Sequence, residues 1–266
     1  MANYFTHLTF GEQVLAALPE ALSGPIRAHW EAFSLGCLGP DPLFFYHPAW
    51  PNRCRREGVR MHAQSALPAF QRLALAVREG IPMAKSYAAG FLCHYALDGV
   101  CHGYIHSKGA PRLAHLAMEA ELDRRLIEER GWKVRGRVYL PAIRTREVFE
   151  AAAAACEYST PDHLRKAYHA MRRDSWLFSL TCGRRRGDWV NWLFRHVPPC
   201  RPLEGIVLGR SPAPGSEESS RQMLRRLNGV VPVTARQLAL FLELAASGGE
   251  LPPWFARNFN GTPCLS

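Results

Sequence analysis

Gly90-Phe91-Leu92-Cys93-His94-Tyr95-Ala96-Leu97-Asp98-Gly99-Val100-Cys101-His102 is mostly apolar, yet it carries a histidine, an aspartate and a second histidine at intervals of four residues. Four residues is slightly more than one helical turn, so the three fall along one face of a helix. A buried imidazole beside a buried carboxylate is costly unless something pairs them. A divalent cation satisfies both, and histidine with carboxylate is a ligand set that zinc accepts. One helix later, His115 and Glu119 repeat the spacing.

The flanking sequence is helical as well. Alanine, leucine and arginine are abundant and β-branched residues are sparse, which favours helix over strand. Apolar periodicity predicts helices over 9–22, 24–35, 62–79, 82–102, 111–130, 145–157, 161–180, 187–196, 219–227 and 233–247. Thr160-Pro161 is a good start for one of them, a capping hydroxyl followed by proline in the first turn. Residues 36–52, rich in glycine, proline and aromatics, read as a packed loop, and 209–220 as a long surface loop. The expected fold is an all-α, single-domain, multi-helix bundle over 1–266. Its metal site falls within 1–130, and a further helical half spans 131–266.

With 266 residues, 47% of them apolar, the chain has enough material for a real core. The net charge of +10 suits anionic partners: a phosphodiester, nucleic acid, or peripheral contact with an anionic membrane. Arg184-Arg185-Arg186 is too short to be a nucleic-acid arm. The eight cysteines form no C-x-x-C pair, and several lie in apolar helices, so a reduced, cytoplasmic protein is expected. The N-terminus has no basic stretch followed by an apolar run, and no run of eighteen uninterrupted apolar residues occurs. Neither a secretory signal nor a transmembrane segment is therefore expected.

Further polar residues join the stripe as candidates: His7 near the N-terminus, Asp41 in a loop where polar groups are scarce, His62 at what reads as a helix start, and His106 beyond His102. Helical rotation limits which of them share an ion. From His94 the drift is about 40° to Asp98, about 80° to His102 and about 120° to His106. His94 and Asp98 can thus hold one ion while His102 or His106 turns toward a second. Asp98 would bridge the two, and His115 with Glu119 would complete the second. Two ions roughly 3.5–4 Å apart clamp a phosphodiester and lower the pKa of a shared water toward about 7. A third ion near His7 could stabilise the leaving oxygen. The remaining histidines, His29, His47, His163, His169 and His196, read as ordinary hydrogen-bonded residues.

The segments Thr6-His-Leu-Thr-Phe-Gly-Glu-Gln-Val-Leu15, Gly39-Pro-Asp-Pro-Leu-Phe-Phe-Tyr-His-Pro48, the stretch from Gly90 to His102, and His115-Leu-Ala-Met-Glu119 resemble the bacterial zinc-dependent phospholipase C family. The fungal single-strand nucleases share that family's fold. Asn258-Phe-Asn-Gly261 matches it only loosely. The resemblance implies an all-helical fold with up to three zinc ions. Asp41, His62, His94 and Asp98 would surround the first, with Asp41 as general base. His115 and Glu119, with His102 or His106, would hold the second. His7 and Asp98 would hold the third, together with the amine and carbonyl of Ala2 once Met1 is removed. His102 is preferred over His106 because it extends the stripe and precedes Gly103.

The implied activity is hydrolysis of a phosphodiester by metal-bound hydroxide, with a phospholipid or, as the alternative, a nucleotide or nucleic acid as substrate. A non-catalytic zinc-binding helical protein is the remaining alternative.

Overall fold

A computed structural model describes residues 4–107 and 112–264. The fold is all-α, and among the described residues there is no strand. The helices are α1 (Tyr4–Ala16), α2 (Glu20–Arg27), α3 (Trp30–Gly36), α4 (Arg53–Ala63), α5 (Leu67–Arg78), α6 (Ala84–Ser107), α7 (Arg112–Glu129), α8 (Glu147–Ala153), α9 (Pro161–Ser179), α10 (Arg185–His196) and α11 (Ser216–Ser247). Short 3-10 helices occupy Asp41–Phe45, Pro198–Leu203 and Pro253–Ala256. The chain gathers into two compact units. The smaller comprises Met1–Thr6, Gly103–Leu140 and Arg172–Asn228; the larger comprises His7–His102, Pro141–Met171 and Gly229–Ser266.

The larger unit is built around α6. Gly36 of α3 and Gly90 of α6 let two backbones touch: a Cβ on Gly90 would fall 2.1 Å from the Phe33 carbonyl oxygen. That approach brings the loop after α3 against α6, where Asp41 and Gly39 lie. Phe70 of α5 is fully buried and meets the rings of Phe91, Tyr95, Phe241 and Phe255, all with centroids within 5.8 Å. Burying one such ring contributes roughly 2–3 kcal/mol. The Tyr95 hydroxyl donates to the Trp254 carbonyl at 2.7 Å and so ties the C-terminal segment to α6.

The smaller unit has its own core. Ala120 and Leu116 of α7 pack with Cys182, Ile206, Val207 and Leu208, and against Phe178, Val190 and Phe194 from α9 and α10. At its edge, Asp123 of α7 accepts from the backbone amides of Phe5 and Thr6 and from the Thr6 hydroxyl. A carboxylate thereby satisfies amides in the first turn of α1, which have no partner within the helix.

The structure departs from the periodicity in several places. α1 begins at Tyr4 rather than residue 9, because its first amides find a partner 117 residues away. The expected 24–35 helix is two helices: Pro25 lies inside α2, and His29 leaves helical geometry at φ −116°, ψ 56°. Within 36–52 lies the Asp41–Phe45 turn of 3-10 helix, and α4 then follows without having been foreseen. Asn52 caps α4 by accepting from the Arg55 amide at 2.9 Å. The face that α4 buries is Cys54, Glu57 and Gly58, which has no apolar period to detect. Glu57 is 2% exposed and accepts from the amides of Glu157, Tyr158 and Ser159.

His62 accordingly closes α4 instead of opening the next helix. Residues 216–247 form one helix through Pro232, where two helices were expected. Pro232 lacks the amide that would bond the Asn228 carbonyl, and the Thr234 hydroxyl donates to Val230 beside that gap. By length and composition α11 could cross a membrane, a feature the sequence reading did not single out. Core helices pass the same test, and Leu238, Phe241 and Ala245 of α11 are buried inside the protein.

Candidate metal centre

α6 delivers His94 and Asp98, 1% and 2% exposed, into the interior of the larger unit. His94 Nδ1 lies 3.2 Å from the Cys37 carbonyl oxygen. A carbonyl only accepts, so Nδ1 carries a proton and Nε2 is the ring nitrogen left to face the site. Nε2 lies 3.1 Å from Asp98 Oδ2. His62 repeats the arrangement: Nδ1 donates to the Gly58 carbonyl at 2.8 Å, and Nε2 faces Asp41 Oδ1 at 3.1 Å. In both cases a backbone carbonyl fixes the tautomer and the ring, as the second shell of a metal site does.

From α1, His7 stacks on the His94 ring with centroids 4.2 Å apart, and its Nε2 lies 3.2 Å from Asp98 Oδ1. Two donor groups lie within the larger unit. His7, His94 and Asp98 form one, and Asp41, His62 and His94 form the other; in each, one ligand atom per residue lies within 4.8 Å of the others. The first is buried. The second is partly open, with the side chains of His62 and Asp41 18% and 20% exposed, so water reaches it.

His102 Nε2 is 3.8 Å from Asp98 Oδ1, and its Nδ1 is 3.0 Å from Asn260 Oδ1. In the smaller unit His115 Nε2 and Glu119 Oε1 are 2.7 Å apart on α7. Ala2 and the side chain of His106 lie outside the described residues, so the contact with Asp98 is recorded for His102 alone.

Burial opposes ionisation of Asp98. The imidazoles of His94 and His102 act the other way and prevail, holding the carboxyl well below its usual range. The pocket therefore keeps a carboxylate where cationic charge is expected. His94 Nε2 and Asp98 Oδ1 are buried atoms without a properly formed hydrogen bond. Orphaned buried polar atoms are rare and call for a partner. A cation between them answers that need, and the imidazole and carboxylate donors suit zinc.

Two supports of the site were not singled out from sequence. Gly39, at φ +53°, is the only residue type that fits: a Cβ there would stand 2.2 Å from His94 Cδ2. Asn260, which orients His102, lies in the loosely matching Asn258-Phe-Asn-Gly261 segment and carried no ligand spacing of its own.

A family model for zinc dependent phospholipase C matches residues 6–183. The chain belongs to the zinc-dependent phospholipase C family. No curated protein matches it, and neither does any solved structure. The span matched by the phospholipase C family includes His7, Asp41, His62, His94, Asp98, His102, His115 and Glu119, and it ends just before α10. Membership and the donor groups together support zinc as the cofactor and a phospholipase-like hydrolase as the class.

Proposed function

We propose that this protein is a zinc-dependent phosphoric diester hydrolase acting on a phospholipid. One observation carries the reading. Two imidazoles, each with Nδ1 committed to a carbonyl, turn Nε2 toward carboxylate oxygens 3.1 Å away, which brings together the ligand atoms that zinc takes up.

In this reading Asp41, His62 and His94 hold one zinc ion, and His7 and Asp98 a second. His115 and Glu119 contribute to a third, and Ala2 belongs to the same ligand proposal. Bound zinc supplies Lewis acidity, which eases deprotonation of water and offsets charge on the phosphoryl oxygens. The chain's own residues do the rest. Asp41, partly exposed, takes the proton from the attacking water. The water oxygen bonds to phosphorus as the phosphorus–alkoxide bond breaks, and a proton returned to the alkoxide completes the alcohol product. The carbonyls of Cys37 and Gly58 hold the two rings in place and keep Nε2 of each turned toward the site. A reducing, cytoplasmic setting belongs to the same proposal, since no disulfide joins the described cysteines.

The test combines metal counting with a substrate panel. Protein purified without chelator should carry zinc and cleave a soluble short-chain phosphatidylcholine in preference to a single-stranded oligonucleotide. Asp41→Asn should lower kcat by about a hundredfold or more while the zinc count falls by less than one ion per chain. Preference for the oligonucleotide would move the substrate class to nucleic acid. Protein free of zinc and inactive on every diester would remove the hydrolase reading altogether.

A further inference from the structure

We infer that the outer face of α10, with the exposed side of the last turns of α9, docks on an anionic lipid bilayer. Six of the twelve large apolar side chains exposed among the described residues fall within residues 176–203: Trp176, Leu177, Leu180, Trp189, Trp192 and Leu203. The other six are scattered from Trp30 to Tyr158.

On α10 the pattern is amphipathic in an unusual sense. Val190 and Phe194 pack into the core of the smaller unit, with Phe194 meeting Phe178 of α9 at a centroid distance of 6.2 Å. The opposite stripe, Arg185, Trp189, Trp192 and His196, follows the i, i+4, i+7, i+11 spacing of a single face, and all four are exposed. Trp189 and Trp192 are 60% and 53% exposed. The end of α9 and the turn after it follow suit: Phe178 faces the core, whereas Trp176, Leu177 and, past the helix, Leu180 face solvent.

Charge identifies the occupant. Between Arg172 and Glu204 the chain has seven arginines against Asp174, Asp188 and Glu204. Arg173 pairs with Asp174, and Arg195 with Glu204. Asp188 accepts from the Arg210 amide, and the exposed Arg184, Arg185, Arg186 and Arg201 carry the excess of positive charge. Tryptophan and leucine that sink into the headgroup boundary, beside arginines that meet anionic lipid, are the composition of an interfacial helix. A nucleic-acid strand would use the tryptophans but leave Leu177, Leu180 and Leu203 with no base to cover them. A symmetric second copy would set the triple-arginine cluster near its own equivalent.

This inference stands apart from the hydrolytic reading, and the experiment separates the two. Zinc-loaded protein is floated with vesicles of phosphatidylcholine alone and of phosphatidylcholine mixed with phosphatidylglycerol. The wild type should float with the mixed vesicles only. Trp189→Ala/Trp192→Ala should bind at least about tenfold more weakly and lose tryptophan quenching by brominated lipid. Arg184→Gln/Arg185→Gln/Arg186→Gln should weaken binding on the order of a hundredfold. Hydrolysis of a soluble, monomeric diester should be unchanged in both. Circular dichroism checks folding, and if the tryptophan variant misfolds the arginine variant decides.

No flotation of the wild type, or equal flotation of wild type and a folded variant, overturns the inference. So does capture of an oligonucleotide through Trp189 and Trp192 without flotation.

Discussion

Gly39 shows how much of a metal site can rest on a residue that binds nothing. Its left-handed backbone and missing Cβ let the His94 ring lie against the turn, while the carbonyl of Cys37, two residues earlier, accepts a hydrogen bond from the ring's Nδ1. Gly39→Ala should push the ring aside, weaken zinc binding about 10–100-fold and reduce activity with it, while α-helical content stays at the wild-type level. Competition with a chromophoric chelator measures the affinity, and unchanged zinc retention would show that the turn yields instead. At this scale the sequence is informative where chemistry clashes with context. His94 and Asp98 stand out because they are polar inside an apolar run. Gly39 and Asn260 do not, because their importance lies in contacts with residues far along the chain.

Among the elements, α1 and α7 are joined through Asp123. Burial pushes its carboxyl up to about 6, although the donors on Thr6 and Phe5 pull it down. The folded value exceeds the unfolded one of about 3.9, so the native state binds more protons between these limits. The contribution is therefore fully present below about pH 4 and lost as pH rises through about 6, a swing on the order of 3 kcal/mol. Asp123→Asn removes this titration. In chemical denaturation with chelator present, the variant should gain on the wild type by about that amount between pH 4 and pH 7, and a difference independent of pH would contradict the assignment.

Elements were legible from sequence where an apolar stripe marks them, as in α6, α7 and α9. α4 escaped because its buried face is held by the carboxylate of Glu57 on three loop amides rather than by apolar packing. α11 was divided in two because a proline ordinarily ends a helix. Here the packing of Leu238, Phe241 and Ala245 on one side of Pro232, and of Met223 and Leu227 on the other, outweighs the lost bond.

For the whole molecule, membership of the zinc-dependent phospholipase C family ties fold to metal. A ligand bound only by the native state adds about 4 kcal/mol at a thousand times its Kd. Removing zinc with a chelator should lower the thermal midpoint by on the order of 10 °C in a chain of this size. Zinc should restore it and magnesium should not, since magnesium prefers an all-oxygen octahedral shell. Calorimetry with and without added metal checks both. The all-helical class was legible from composition and period. The gathering of contacts into two units was not, because α1, α6, α9 and α11 each supply residues to both.

His94 belongs to both donor groups, and with Nδ1 engaged it has a single nitrogen to offer. Two cations cannot share that electron pair, so the groups are rivals for it. Occupancy should be hierarchical: the winner takes the imidazole, and the other ion leans on Asp98 and its remaining neighbours. Calorimetric titration of stripped protein should then resolve unequal steps, with His94→Ala erasing the tighter one.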